Sequence, residues 1–264
     1  MLTSWVCRRV DIGTEMPLRE TEAIVIRTYR LGEADKIVSL FTRQLGRLRA
    51  VAAGAQRPKS RYGGTLEAPS YIRLWVFERE NRDLLRINSV ELVESFFDMQ
   101  KDYQVHVAAQ YVGEVVERFL PEREVNERAF RLAVMVLRAL KRSGERERPL
   151  LYFNYWLLRL GGFLPDVDHC LACGRALGEE PGYYGAGSEG LLCRECRPSG
   201  SFRSISSGVR GLAEKVRQQA LDRWLEMEKG SPESAREARC FFEELIASHV
   251  EKKLLTRELL EDGV

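Results

Sequence analysis

Four of the six cysteines form two close pairs, Cys170 with Cys173 and Cys193 with Cys196. Two intervening residues let a tight turn point both sulfurs of a pair at one ion. Gly174 follows the first pair and can adopt a turn conformation that a Cβ would resist. The 19 residues between the pairs fall in the range of roughly 15–20 that is typical of structural zinc sites. The spacing therefore predicts one structural Zn²⁺ per chain, bound by these four cysteines.

Other chemistry for the cysteine region is less well supported by its residues. Four thiolates fill a tetrahedral shell and leave no position for a reacting water, so catalytic zinc is not expected. The same ligands could hold an iron–sulfur cluster, although the long spacer and tight pairs favour zinc. His169 could replace a cysteine in a distorted site, whereas Asp166 and Asp168 are expected to solvate or cap the loop and not to bind a second metal. Cys7 and Cys240 have no partner and are interpreted as ordinary residues, with Cys240 packing in a helix.

Catalytic motifs do not stand out elsewhere. The sequence contains neither G-x-x-x-x-G-K-[ST] nor Gly-x-Ser-x-Gly, and its three histidines are scattered. Its acidic residues lie mostly at helix-surface spacing. The sequence therefore predicts a protein that is not an enzyme, and an enzyme of unrecognised type, such as a nuclease, is the alternative.

A second suggestive group of residues is basic. The stretch from residue 43 to residue 61 carries six Lys or Arg residues and no acidic one, in a chain whose formal net charge is +2. Segment 122–127, by contrast, is acidic. A local basic excess in a near-neutral protein predicts a surface directed at polyanions, and a solvated arginine-rich loop is the alternative.

The elements that would carry the basic residues have the pattern of strands. In segment 46–53, basic and apolar residues alternate with the period of a half-buried strand. Residues 81–83 form a tight connection, and 54–68 form a loop with Pro58, Gly63 and Gly64. Five strands in about 75 residues fit a small closed barrel of the oligonucleotide-binding (OB) type, with a sandwich as the alternative. The predicted strands are 22–30, 36–43, 46–53, 71–77 and 84–93.

The pattern then changes to that of helices. Apolar residues recur at i, i+3 and i+4 in 108–120 and 130–142, and 150–160 is apolar nearly all round, as in a buried helix. A weaker helix is predicted for 207–224, and Ser231 with Pro232 begins a final one. The predicted fold class is thus α+β multidomain. It comprises an OB-fold β-barrel (20–96), an α-helical bundle (97–165 plus 201–264) and an inserted four-cysteine zinc finger (166–200).

Size and composition agree with a globular protein. The 264 residues are 44% hydrophobic and 30% charged, and no stretch approaches the roughly 20 apolar residues that a membrane helix needs. The N-terminus has no apolar signal core, which predicts a cytoplasmic address. Residues 1–19 lack periodicity and are expected to be a disordered extension, or to reflect a start codon assigned too early, upstream of Met16.

Several motifs resemble the RecO family of bacterial recombination mediators. The resemblance covers about residues 20–258, and residues 1–15 have no counterpart in it. Towards the C-terminus PERE (121–124), LGGFLP (160–165), the cysteine pairs and a basic final helix agree with the family. The N-terminal motifs that carry it are ETEAIVIRT (20–28), LGEADKIVSLFT (31–42), GRLRAVAAGA (46–55) and RPKSRYGG (57–64).

The resemblance implies an OB barrel, a helical domain and a zinc finger, and a non-enzymatic role in the RecF pathway of DNA repair. It implies binding of single-stranded and double-stranded DNA, annealing of complementary strands, and help in loading RecA onto strands coated by single-strand binding protein. The implied partners are RecR and the acidic C-terminal tail of single-strand binding protein, with RecF and RecA as indirect partners. It also implies a bacterial cytoplasmic protein that associates with the nucleoid during repair.

Charge pattern and resemblance point to the same DNA-binding surface. Its cations would neutralise phosphates and release counterions, so binding should depend on salt and little on sequence. Tyr29, Tyr62 and Tyr71 could stack on bases or could equally pack in the core. An acidic peptide tail could dock near Arg128, Arg131, Arg138 or Arg142. The main alternative is a zinc-containing transcription or translation factor whose finger reads nucleic acid. The predicted DNA-binding residues are Arg27, Lys36, Arg43, Arg47, Arg49, Arg57, Lys59 and Arg61.

Overall fold

The structure is a computed structural model that describes residues 17–77, 84–185, 187–227, 231–250 and 252–261. The expected extension at 1–19 lies outside the described residues up to residue 16, and its last two residues belong to the first strand instead. The expected tight connection at 81–83 also lies outside the described residues.

Five strands close into the predicted barrel: β1 (Leu18–Leu31), β2 (Asp35–Thr42), β3 (Gly46–Ala52), β4 (Ser70–Phe77) and β5 (Leu84–Ser95). Their order around the barrel is β1-β2-β3-β5-β4. The β3–β5 pair is parallel, and the other pairs, including β4 with β1, are antiparallel. This arrangement confirms the OB-type barrel and excludes the sandwich.

The period-two pattern decides which side chains fill the barrel. Val38 and Leu40 of β2 and Leu48 of β3 are fully buried inside it, whereas the intervening Arg47 and Arg49 project from the outer face. The inside of the barrel is thus a packed apolar core, and its charged side chains lie on the outer face.

Helices follow the barrel as expected, with two differences. The predicted helix 207–224 is two helices, because the backbone is extended at Gln219 and Ala220. The last helix of the described chain was not predicted. After a 3-10 helix (Phe97–Lys101), the helices are α1 (Tyr103–Phe119), α2 (Glu127–Ser143), α3 (Glu147–Gly161), α4 (Ser207–Gln218), α5 (Leu221–Glu226), α6 (Pro232–Ser248) and α7 (Leu255–Glu261).

A second apolar core, separate from the barrel interior, joins the outer face of the barrel to the helices. Phe130 of α2 packs against Phe41 and Tyr71 of the barrel, with ring centroids 5.6 Å and 6.1 Å apart. The outer face of the barrel at Ile24 and Phe41 belongs to the same buried cluster as α1, α2 and α3. Helix α1 covers one end of the β1–β2 surface, where its Gly113 faces Ile26, and leaves the other end, at Tyr29 and Leu31, exposed.

Residues 166–200, here called the cysteine segment, form mostly turns beside the helices. A short hairpin pairs β6 (Gly182–Tyr184) with β7 (Arg203–Ile205). Tyr184 packs against Phe241 of α6 at 4.9 Å between ring centroids. Within the described part of the chain, no helix is both long and apolar enough to cross a membrane.

Candidate metal centre and nucleic-acid interface

The structure brings all four predicted metal ligands together. The sulfurs of Cys170, Cys173, Cys193 and Cys196 all lie within 4.8 Å of one another, and those of Cys173 and Cys193 are 4.0 Å apart. A tetrahedral ion with metal–sulfur bonds of about 2.3 Å needs sulfurs about 3.8 Å apart. The donor set and its spacing fit a thiolate-bound metal ion.

Backbone turns place the sulfurs as the spacing predicts. The Gly174 N–H donates to the Cys170 carbonyl at 2.8 Å, and Gly174 adopts a φ of +72°. The Cys193 N–H donates to the sulfur of Cys170 at 3.3 Å, so the second turn stabilises a thiolate of the first. Backbone N–H groups of both turns thus converge on the metal site.

The pKa values of the cysteine thiols show why a bound cation would matter at this site. Burial raises the pKa of Cys170, but backbone N–H groups of Cys193, Cys173 and Ala172 outweigh it and lower the pKa to about 6. Interactions with the other sulfurs raise the pKa of Cys196 to about 12. Four adjacent thiols cannot all ionise to thiolates unless a cation offsets their negative charge.

The residues beside the cysteines act on the loop. His169 is exposed, and its Nδ1 lies 2.7 Å from an oxygen of Asp166, while the other oxygen of Asp166 accepts the Asp168 N–H at 2.8 Å. Asp166 therefore caps the loop as expected, and His169 is not part of the sulfur cluster.

On the barrel, cross-strand register aligns the predicted cations. Arg27 of β1, Ser39 of β2 and Arg49 of β3 form one row across the outer face. The next row on the same face, towards the turn between β1 and β2, contains Tyr29, Ile37 and Val51. The arginines therefore lie beside a partly apolar strip on the β1–β3 face, which is the face that OB folds use for oligonucleotides.

A groove of about 540 Å³ runs between the barrel and the helical region. We call it the interdomain groove. Its charged lining comprises five Lys or Arg side chains and two glutamates, so its field is positive. The barrel contributes Arg27, Tyr29, Arg47 and Arg49, and the helical side contributes Glu117, Arg118, Glu122, His249 and Lys252.

Sequence reasoning missed the helical side of this groove. Glu117 and Arg118 lie at the end of α1, and Lys252 follows α6. Each has the spacing of an ordinary helix-surface or loop residue, and no local pattern relates it to β1 or β3. Tertiary packing of α1 on β1 creates the groove.

The arginines of β3 are already paired with acceptors of the helical side. Arg47 donates to the Leu120 carbonyl at 3.1 Å and to Glu122 at 3.1 Å. Arg49 donates to the same Glu122 oxygen at 3.2 Å. Arg27 approaches Glu117 at 3.8 Å. The groove cations are therefore presented with carboxylate counter-charges.

Two other predicted cations lie outside the groove lining. Lys36 pairs with Glu67 at 3.3 Å. Arg43 contacts Glu22 at 2.9 Å and Glu127 at 2.6 Å, and these carboxylates raise its pKa. Arg43 faces a different groove, on α2, described below.

The loop after β3 carries the three remaining predicted residues. Arg57, Lys59 and Arg61 are exposed, and Arg61 donates to the Tyr62 hydroxyl at 2.8 Å. Among the described residues, Arg57 and Lys59 have no ion-pair partner. The Gly54 N–H donates to Asp35 at 2.8 Å, so the loop is held at the open end of the β1–β3 face.

The three tyrosines differ in exposure. Tyr29 is 43% exposed, whereas Tyr62 is 2% and Tyr71 is 8% exposed. Stacking of bases on Tyr62 or Tyr71 is therefore excluded in this structure, because Tyr62 packs into the barrel core and Tyr71 packs against Phe130 of α2. Tyr29 lies in the interdomain groove and can stack.

A second groove, of about 480 Å³, lies along α2, and we call it the α2 groove. Its floor includes Phe130, Val134 and Met135, and its rim carries four arginines. Arg128 is not part of its lining. The rim arginines are Arg43, Arg131, Arg138 and Arg142.

Comparisons with known proteins agree with the motifs. The family described as "Recombination protein O N terminal" matches residues 16–96, and "Recombination protein O C terminal" matches residues 100–258. A protein of Koribacter versatilis named DNA repair protein RecO is 34% identical over 247 residues, covering 92% of this chain and 98% of that protein. Relatives of the same name from Anaeromyxobacter sp. (strain K) and Symbiobacterium thermophilum are each 32% identical, covering 90% and 93% of this chain and 94% and 98% of their own.

Proposed function

Because the chain belongs to the RecO family of DNA repair proteins, we propose that it acts in recombinational repair as a DNA-binding mediator and not as an enzyme. In this proposal it binds single-stranded and double-stranded DNA and anneals complementary strands. With RecR it helps load RecA onto DNA coated by single-strand binding protein, and RecF participates indirectly. We place this activity in the bacterial cytoplasm.

The interdomain groove is the observation that best supports DNA binding. Its cations come from both the barrel and the helical side, and one end of the β1–β3 face leads to the exposed Arg57 and Lys59. Tyr29, with the half-buried Ile37 and Val51, supplies a surface on which bases can stack. A strand could follow the β1–β3 face, with phosphates at the cations and bases on the strip.

Annealing follows from the same charges. Two DNA strands repel each other through their phosphates, and cations that neutralise part of this charge reduce the repulsion. In this proposal the protein promotes pairing because it holds strands near basic side chains. No covalent step is needed.

Salt-titrated DNA binding and annealing test this function in a variant with Arg27, Arg49, Arg57 and Lys59 changed to Gln. Arg47 is kept because it also bonds the Leu120 carbonyl. We expect weaker binding of single-stranded DNA and slower annealing. The slope of log affinity against log salt concentration should become shallower by up to about three, since each phosphate contact contributes about 0.7 to this slope for single strands.

A matched control changes four exposed cations elsewhere to Gln: Lys101, Arg128, Lys215 and Arg223. It loses the same net charge and should retain annealing. Unchanged annealing by the folded groove variant would contradict the proposed function. Divalent-metal-dependent DNA cleavage by the pure protein would contradict the non-enzymatic role and support a nuclease.

We further propose that the four cysteines bind Zn²⁺. An all-thiolate tetrahedral set suits zinc and leaves no open coordination position, so the ion would cross-link the two cysteine turns and neutralise their thiolates. Its role would be structural.

We propose the α2 groove as the site for the acidic C-terminal tail of single-strand binding protein. An apolar floor beside a rim of arginines matches a peptide that has both acidic and apolar side chains. The rim arginines already hold carboxylates, as Arg138 does with Glu94 at 2.7 Å and Arg142 with Asp222 at 2.5 Å, so their geometry suits carboxylate binding.

Peptide binding measured by fluorescence anisotropy tests this site. Changing Arg138 and Arg142 to Gln should weaken binding of an acidic tail peptide several-fold. Changing Arg128, which is exposed on α2 outside the groove lining, should leave binding unchanged. Equal effects of both changes would indicate general charge attraction and exclude a site in this groove.

A further inference from the structure

We propose that Glu122 competes with DNA phosphate for the arginines of the interdomain groove. The inference rests on the proposed function, because it concerns the same groove. It assigns to one residue of the helical side the task of setting how tightly, and how reversibly, the groove holds DNA.

The position of the carboxylate carries the proposal. A single oxygen of Glu122 accepts from both Arg47, at 3.1 Å, and Arg49, at 3.2 Å. An anionic oxygen between two guanidinium groups occupies the place where a phosphate oxygen would bind. The side chain of Glu122 is 48% exposed, so the ion pair is weak enough to exchange with solvent or ligand.

The backbone around Glu122 is anchored on the barrel. The Arg123 N–H donates to the Arg47 carbonyl at 2.9 Å, and the chain at Glu122 runs parallel to β3 there. Gly46 faces the backbone of Glu124 so closely that an added Cβ would overlap it. These contacts hold the linker 120–126 against β3 whether or not the Glu122 side chain pairs with arginine.

Anchoring makes the carboxylate a persistent competitor. When a phosphate displaces it, Glu122 stays tethered within reach of both arginines, at the high effective concentration of an intramolecular ligand. Its return favours release of the strand. A protein that pairs strands and then gives them up would use such reversible contacts.

Competition also changes the salt dependence of DNA binding. Counterion release comes from DNA and is expected for every phosphate that a cation neutralises. If Glu122 keeps Arg47 and Arg49 occupied, these arginines neutralise phosphate only in part, and the slope of affinity against salt is shallower than the number of groove cations implies. Removing the carboxylate should therefore steepen the slope.

The test compares Glu122→Gln with Glu124→Gln in salt-titrated binding of a single-stranded oligonucleotide. Both changes remove one negative charge from the same exposed linker, but of these two glutamates only Glu122 pairs with Arg47 and Arg49 among the described contacts. We expect Glu122→Gln to raise affinity roughly three- to tenfold at low salt. The slope should become steeper by about 0.7 for each arginine released.

Glu122→Ala, which removes the whole carboxylate, should shift affinity in the same direction, and Glu124→Gln should leave both quantities near wild type. Equal effects of Glu122→Gln and Glu124→Gln, or no change in either, would overturn the competition. The proposed function fails separately: it fails if wild type does not bind DNA or if the groove variant binds and anneals normally. If that variant loses binding while Glu122→Gln changes nothing, the competition alone is wrong.

Discussion

Single residues in the interdomain groove differ in how much of their charge is available to a ligand. Arg47 and Arg49 share Glu122, and Arg118 pairs with Glu114 at 2.7 Å while also donating to the Lys253 carbonyl. Lys252, by contrast, is exposed and has no ion-pair partner within the described part of the chain. Its ammonium group is thus the most available cation on the helical side.

Changing Lys252 to Gln should weaken binding of single-stranded DNA about two- to fivefold near physiological salt and flatten the salt slope by about 0.7, because one phosphate contact is lost. The measurement is oligonucleotide binding over a range of salt. Lys215→Gln is the matched control, because Lys215 is an exposed lysine of α4 that lies outside the groove and pairs with no carboxylate among the described residues. Equal behaviour of the two variants would exclude Lys252 from the proposed DNA-binding surface.

Among the elements, α7 depends on a carboxylate from α1. The fully buried Glu114 accepts the Leu255 N–H at 3.0 Å, the Thr256 N–H at 2.8 Å and the Thr256 hydroxyl at 2.6 Å. The first N–H groups of a helix have no partner within it, so Glu114 supplies the missing acceptor from another element. This contact fixes the chain that carries Lys252.

Glu114→Gln should lower the free energy of unfolding by about 1–3 kcal/mol at pH 7, because an amide nitrogen replaces one acceptor in a buried site. Burial raises the pKa of Glu114, but the hydrogen bonds from Thr256 and Leu255 and the charge of Arg118 outweigh it and lower the pKa. Stabilisation by the ionised group is therefore complete above the unfolded-state pKa of about 4.3 and is lost as pH falls through the lower folded-state pKa.

Urea unfolding from pH 7 down to pH 3 would measure this effect. The stability difference between wild type and Glu114→Gln should shrink below about pH 4.3. A difference that stays constant to pH 3 would show that Glu114 does not stabilise the fold through its charge.

Helix α7 also illustrates which structural features could not be predicted from the sequence. The strands and long helices have strong periodicity, and the four cysteines have a local spacing, so the barrel, the long helices and the four-cysteine cluster were predictable. The N-terminus of α7 is capped by a residue 141 positions earlier, and no local pattern reveals such a partner. The helical wall of the groove and the burial of Tyr62 and Tyr71 likewise depend on tertiary packing.

At the scale of the whole molecule, the cysteine segment is part of the helical core. Leu177, Tyr184 and Leu191 belong to the same buried cluster as α3 and α6. Arg210 of α4 is 4% exposed and donates to three carbonyls of the segment, those of Val167 at 3.0 Å, Gly178 at 2.6 Å and Glu180 at 2.9 Å. Loss of order in the segment would leave this buried guanidinium without acceptors.

Loss of the proposed metal should therefore destabilise the helical region and spare the interdomain groove. Zinc contributes on the order of 10 kcal/mol to the folding of small zinc modules, whereas none of the described residues of the cysteine segment lines the interdomain groove. Metal analysis of the native protein should give one zinc per chain, and the Tm should fall on chelation or in Cys170→Ser. The control variant Cys240→Ser, which changes a thiol outside the cluster, should keep its metal and its Tm.

Below the lowered Tm, the metal-free protein should bind single-stranded DNA as wild type does. Loss of DNA binding in a metal-free protein that is still folded would show instead that the metal centre supports the groove directly.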